Sequence, residues 1–221
     1  MIMNNLIARK RGFFGNLKLN TILVIVNVLA FVAFSVLIYL NQNFIESIAL
    51  KPSNILQGKY LWTFFTSMFM HSGFFHIFVN MLSLFFVGSL VEKILGPKRY
   101  LLFYIASGLF AGIIFVLSSF IIPSELNTFA VGASGAIFAL VGMLMVVTPN
   151  LPVYIMFIPI PIKMKYAAPI MLFALWLISL GLSVPIGNIA HLGGLVFGLF
   201  FGVYLRVKYK RKTKYISKYF S

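Results

Sequence analysis

The chain has no cysteine and no aspartate, and its only acidic side chains are Glu46, Glu92 and Glu125. Without cysteine there are no disulfides, no thiolate nucleophile and no cysteine-ligated metal, although in so apolar a chain this says little about redox compartment. Without aspartate there is no aspartyl catalytic pair, and three glutamates leave little for general acid–base chemistry. Charged residues make up only 10% of the sequence and are nearly all of one sign: 18 Lys and Arg give a formal net charge of +15. What fills the chain instead is apolar. It is 61% hydrophobic with a mean hydropathy of +1.02, against roughly 45–50% apolar residues in soluble domains, which marks an integral membrane protein. At 221 residues, spans of about 20 residues each leave room for a single domain, residues 1–221, with short basic tails at about 1–18 and 208–221.

Six apolar segments are predicted to span: Leu19–Leu40, Phe74–Val91, Tyr100–Phe120, Val131–Thr148, Ala167–Val184 and Ile189–Val207. The first is too long for a cleaved signal peptide, lacks a small-residue cleavage site, and reads as a retained anchor. Sixteen of the eighteen cationic residues flank the spans on one side: Arg9, Lys10, Arg11 and Lys18 before span one, Lys93, Lys98 and Arg99 after span two, Lys163 and Lys165 after span four, and seven from Arg206 to Lys218. Positive loops stay in the cytoplasm, so both termini are expected there. The charge is then mostly topological. The basic tail reads as anchoring and contact with anionic lipid rather than nucleic-acid binding. The loop Asn41–Gly73, aromatic-rich from Ile55 to Met70, is expected in the opposite interface, and Pro149, Pro152, Pro159 and Pro161 make a stiff connection after span four. The sequence has no convincing internal repeat and carries no signal for oligomeric state.

This topology predicts that Ser134, in Gly132-Ala133-Ser134-Gly135, lies a few residues below the external surface, several ångströms at about 1.5 Å per residue. His191 starts span six at a similar depth. Gly135, Ala136, Ala139 and Gly142 give span four a small-residue surface, and Gly194, Gly198 and Gly202 give span six a stripe at i, i+4 and i+8; such surfaces let helix backbones approach closely. A hydroxyl and an imidazole brought together are the minimum parts of an activated nucleophile. Taken alone, Ser134 is more readily explained by a bond to its own helix backbone, whereas a histidine inside a span points to function. His71, His76 and Asn80 form a second polar cluster at the start of span two, with His76 and Asn80 on one helical face. Three histidines with no carboxylate nearby make a poor zinc site. The cluster is expected to donate hydrogen bonds to a developing oxyanion; the competing reading is hydrogen bonding between helices. No metal or cofactor is expected.

These residues resemble the rhomboid family of intramembrane serine proteases. Gly132-Ala133-Ser134-Gly135 looks like its GxSG motif, and Ala190-His191 with Gly194 and Gly198 like its AHxxGxxxG. His71, His76 and Asn80 match HxxxxHxxxN, while Gly88, Glu92 and Gly96 match GxxxExxxG. The four motifs occur in family order between about Trp62 and Gly198. The resemblance implies an all-α membrane fold, a six-transmembrane-helix rhomboid-like bundle with both termini cytoplasmic. It also implies a Ser134–His191 dyad, with His76, Asn80 and helix N–H groups near Ser134 holding the oxyanion. His71 would support the loop or the water supply, Glu92 would be structural, and Phe138 would pack on the histidine or simply fill the core. Implied substrates are transmembrane proteins, cut near the external end of a helix that must unwind locally, with membrane lipids as further partners, in a multi-pass cell-membrane protein whose active site is near the external face. Phe173 and Trp176 in span five would form a lateral entry wall or simply face lipid. Where many relatives carry Trp-Arg, this chain has Trp62-Thr63, which bears on loop order rather than chemistry. No HExxH sequence exists for a zinc-dependent mechanism. Two other classes stand beside the protease: a non-catalytic rhomboid-like protein that binds or escorts membrane helices, and a channel or transporter, which lacks repeat symmetry and intramembrane charge pairs.

Overall fold

The computed structural model describes residues 17–154, 160–182 and 187–220; Arg9, Lys10, Arg11, Pro159 and Val184, named above, lie outside them. Helix α1 is Leu19–Leu40, and three short helices follow in the next connection: α2 Phe44–Ile48, α3 Pro52–Leu56 and α4 Thr63–Thr66. The second long rod is α5 Phe74–Ser83, a π-helical turn Leu84–Gly88 and α6 Ser89–Leu95. Next come α7 Pro97–Ser118, α8 Ser134–Val147, a hairpin of β1 Pro152–Val153 with β2 Ile162–Lys163, α9 Met164–Leu182, α10 Asn188–Lys208 and α11 Lys210–Tyr219. Five rods are long and apolar enough to cross a membrane: Leu19–Leu40, Phe74–Leu95, Pro97–Ser118, Met164–Gly181 and Asn188–Lys208. The fourth expected span differs. α8 has 14 residues, about 21 Å at 1.5 Å per residue, less than the roughly 30 Å of a bilayer core. Its sequence looked longer because Val131, Gly132 and Ala133 are apolar or small, yet they form an irregular approach to the helix. The C-terminal basic tail is largely helical, as α11, and the small hairpin adds the strand structure seen among the described residues.

Burial explains why a short helix sits in the centre. Every residue of α8 from Gly135 to Leu144 is buried, and the helix packs against α7, α9 and α10. The long helices instead expose Leu29, Phe86, Leu102, Phe173 and Phe200 outward, the arrangement expected when lipid rather than water is the solvent.

The packing of α8 on α10 depends on missing side chains. A methyl group at Gly194 would lie 2.9 Å from the carbonyl carbon of Gly135, and one at Gly198 would lie 2.7 Å from that of Ala139. On the other side, a methyl at Gly142 would stand 2.5 Å from the Leu195 carbonyl oxygen. Backbone therefore meets backbone along two turns, as small-residue stripes permit.

At the end of the bundle away from Ser134, Glu92 ties α1 to α6. Its two carboxylate oxygens each accept a backbone N–H, from Leu19 and Asn20, both at 3.0 Å. These are leading donors of α1 that no helix turn can satisfy, and a negative charge there also suits the helix dipole. The neighbouring Asn20 is fully buried. Its side-chain amide donates to the Leu84 carbonyl at 2.9 Å and the Ser89 hydroxyl at 3.0 Å, and its oxygen accepts from the Tyr100 hydroxyl at 2.5 Å. A side chain at Gly88 would collide with Asn20 and stand 2.6 Å from the Tyr100 hydroxyl, and Gly96 turns the chain into α7 with φ +79°.

Candidate active site

Ser134 is the first residue of α8. The first helical bond runs from the Ile137 N–H to the Ala133 carbonyl at 3.0 Å, so the N–H groups of Ser134, Gly135 and Ala136 have no partner within the helix. The approach to this turn is fixed from outside. Gly132 donates its N–H to the Ser67 carbonyl at 2.8 Å, and Leu50 and Ala130 exchange two backbone bonds, at 3.1 and 2.8 Å, as an isolated antiparallel bridge. Gly132 then adopts φ +118°, a conformation that favours glycine.

His191, in the first turn of α10, is brought to Ser134 by the close α8–α10 crossing. The Ser134 Oγ lies 2.7 Å from His191 Nε2. The imidazole is buried, and its Nδ1 has no hydrogen-bond partner among the described residues. Phe138, one turn along α8, stacks on the ring with centroids 4.8 Å apart and planes 23° from parallel. The hydroxyl can donate to Nε2 while Nδ1 keeps its hydrogen, the tautomer in which a histidine accepts a serine proton.

His76 reaches the same place from α5, and Asn80 lies one turn further along that helix. A methyl at Gly132 would be 2.9 Å from His76 Nε2 and 3.6 Å from Ser134 Oγ, so the His76 ring edge and the Ser134 hydroxyl border one small space. The other ring nitrogen, Nδ1, is 3.0 Å from the Ser72 hydroxyl. Asn80 is buried and donates one N–H to the His76 carbonyl at 2.9 Å, while its Oδ1 is unpartnered among the described residues. His71 is buried beside this pair, its ring 5.2 Å from that of His76 and 6.5 Å from that of Phe31, with neither nitrogen hydrogen-bonded among the described residues.

The expected residues therefore fall into two groups. Ser134, His191, His76, Asn80, Phe138, Gly132 and His71 gather at one end of the bundle, whereas Glu92 belongs to the α1 anchor at the other. Among the described residues no group of His, Cys, Asp and Glu is arranged to hold a metal. Sequence reasoning missed Ser72, which bonds His76, and Asn188, one turn before His191, whose Oδ1 is also buried without a partner among the described residues. Ser72 stands four residues before His76, a helical spacing that was available as a signal.

The loop carrying α2 to α4 braces this end. Trp62 Nε1 donates to the Ser47 carbonyl at 2.8 Å, and the Thr66 hydroxyl to that of Ile48 at 2.8 Å. Thr63 is buried and donates its hydroxyl to the Tyr60 carbonyl at 2.7 Å. Glu46 bonds Asn54 at 2.6 Å and Lys51 at 3.0 Å; the Asn54 amide, and then Lys51, hold its carboxyl below the ordinary value against opposing desolvation.

A family model of the Rhomboid domain matches residues 58–208. RHOMBOID-like protein 1 of Arabidopsis thaliana is 37% identical over 155 residues, 68% of this chain and 36% of that protein. Rhomboid protease GluP of Bacillus subtilis is 34% identical over 155 residues, covering 68% of this chain and 27% of GluP. Inactive RHOMBOID-like protein 8 of Arabidopsis thaliana is 32% identical over 145 residues, 64% of this chain and 37% of that protein. The chain thus matches between 27% and 37% of the length of these relatives, one of which is named a protease and another inactive. With a family match over most of its length and five helices able to cross a membrane, the chain belongs to the rhomboid family of integral membrane proteins.

Proposed function

We propose that this protein is an intramembrane serine endopeptidase that cuts transmembrane proteins in or beside their membrane helices with a Ser134–His191 dyad. The observation that carries the reading is the 2.7 Å contact between Ser134 Oγ and a His191 Nε2 buried behind Phe138. Ser134 attacks the scissile carbonyl as His191 takes its proton; His191 then protonates the leaving amine, and water hydrolyses the acyl-enzyme by the reverse proton path. The oxyanion is held by the unbonded N–H groups at the start of α8, with His76 and Asn80 as side-chain donors. Phe138 keeps the imidazole in plane and favours its charged form through its π face. The architecture in this reading is one domain, residues 1–221, in which the short α8, fourth in chain order, joins the five long rods to make six membrane helices, with both termini cytoplasmic and the dyad near the external face of the cell membrane.

The test is labelling by a fluorophosphonate probe together with cleavage of a reporter transmembrane helix, comparing the wild type with Ser134→Ala and His191→Ala. Labelling and cleavage should both disappear in each variant. A folded wild type that neither labels nor cleaves, in detergent and in liposomes, overturns the proposal and favours the second reading, a helix-binding protein without catalysis. That reading draws on the likeness to an inactive relative, against which stands the complete serine–histidine pair of this chain.

A further inference from the structure

Helix α11 begins two residues after α10 ends, with Tyr209 between them, and packs back against α10 and α8. Thr213 is buried and Tyr209, Ile216, Ser217 and Phe220 are half-buried; at about 100° per residue these positions share one stripe. Lys210, Arg211, Lys214 and Lys218 stand exposed on one side of that stripe, and Lys212, Tyr215 and Tyr219 on the other, the two tyrosines 72% and 73% exposed. No acidic residue lies on the helix. The chain's three glutamates are engaged elsewhere: Glu46 with Lys51 and Asn54, Glu92 with the start of α1, and Glu125 with the Ser118 hydroxyl. Lys210 and Lys214 are neighbours at i and i+4 and repel one another.

At the end of α10, Lys208 donates to the Tyr204 hydroxyl at 2.6 Å and lies over the Tyr204 and Tyr209 rings. The cationic flank therefore starts where a membrane-crossing helix leaves the apolar layer, with no spacer that would let it move away. We infer that α11 is an interfacial helix whose Lys210, Arg211 and Lys214 flank docks on the phosphate-bearing headgroups of anionic lipids in the leaflet where α10 ends. Tyr215 and Tyr219 enter the same interface, as amphipathic aromatic rings do. This differs from positive-charge topology, which needs cations but neither a helix nor an aromatic flank. Headgroups suit the helix better than a nucleic acid because its inner stripe is held against the bundle at membrane level.

The absence of cysteine allows Tyr215→Cys to carry an environment-sensitive fluorophore as the sole thiol of the full chain, in lipid nanodiscs of phosphatidylcholine with or without phosphatidylglycerol. Phosphatidylglycerol should shift the emission to the blue. Raising salt from about 0.01 to about 1 M, which shortens the screening length from about 30 to about 3 Å, should reverse it. Adding K210Q, R211Q and K214Q should lower the docked-to-undocked ratio roughly a hundredfold, at about fivefold per surface cation, while Ser134 labelling, or failing that the elution profile of the folded protein, stays as in the parent. Equal emission in both lipids overturns the inference. So does an equal shift in phosphatidylcholine discs on adding inorganic phosphate or an oligonucleotide, which would assign the flank to a soluble anion.

Discussion

Replacing Gly194 by alanine adds one methyl group at the narrowest point of the α8–α10 crossing. That carbon would sit 2.9 Å from the carbonyl carbon of Gly135 and nearer still to its oxygen, where non-bonded carbons prefer roughly 3.5–4.0 Å. The obstacle is backbone, so no rotamer change relieves it, and the helices must part by about 1 Å. Ser134 is joined to Gly135 and His191 lies one turn before Gly194, so the parting falls directly on their 2.7 Å contact. A displacement of about 1 Å at reacting groups costs about a hundredfold in rate. Overpacking costs about 1–3 kcal/mol, offset by up to about 1 kcal/mol of helix propensity gained on replacing glycine. The assay is the fluorophosphonate labelling rate of Ser134 beside the thermal midpoint in detergent. Gly181→Ala in α9, where nothing lies within 4 Å of the added carbon, serves as control and should label as the wild type does. If Gly194→Ala also labels at the wild-type rate with an unchanged midpoint, the close crossing does not set the geometry of the pair and the reasoning fails.

Glu92→Ala should lower stability by about 1–3 kcal/mol by leaving the Leu19 and Asn20 N–H groups unpaired, while the labelling rate per folded molecule stays within about threefold, since a rate change under 1 kcal/mol is less than about fivefold; a large loss of rate at full stability would contradict the anchor role. Glu46 has a lowered carboxyl pKa in the folded state, so its contribution is present above its ordinary value of 4.5 and is lost as pH falls through the lower folded value. Because it is a surface pair, Glu46→Gln should cost only about 0.2–1 kcal/mol at pH 7, measured by thermal unfolding, and the difference from wild type should vanish in acid.

Much of the α8–α10 arrangement can be read from residue types alone. Gly194 and Gly198, at four-residue spacing, meet Gly135 and Ala139; so many small residues in apolar segments have few other uses, and their close approach brings Ser134 to His191. The Asn20 junction is not legible in the same way. A single asparagine in a span has no local partner, and its bonds go to Leu84, Ser89 and Tyr100, at least 64 residues away. The π turn at Leu84–Gly88 leaves no trace in hydropathy, because inserting one residue into a helix changes no composition. Hydropathy also placed the start of the fourth span at Val131, since it does not register that Gly132 adopts a positive φ. The helix from Lys210 to Tyr219 was read as a tail because its charge dominates any average over the window, although Tyr209, Thr213 and Ile216 recur at helical spacing.

The bond between Glu92 and the start of α1 also orders events during synthesis. Its donors are made 73 and 72 residues before their acceptor, so α1 enters the bilayer with its leading N–H groups turned to water. They can exchange that solvation for the carboxylate only once Glu92, near the end of the second rod, has been made. Because Asn20 and Tyr100 meet in the same place, the first three rods share one polar junction, whose Asn20 and Glu92 are made 72 residues apart. A chain cut short before Glu92 lacks the acceptor for the Leu19 and Asn20 N–H groups, and with it the polar tie between α1 and α6.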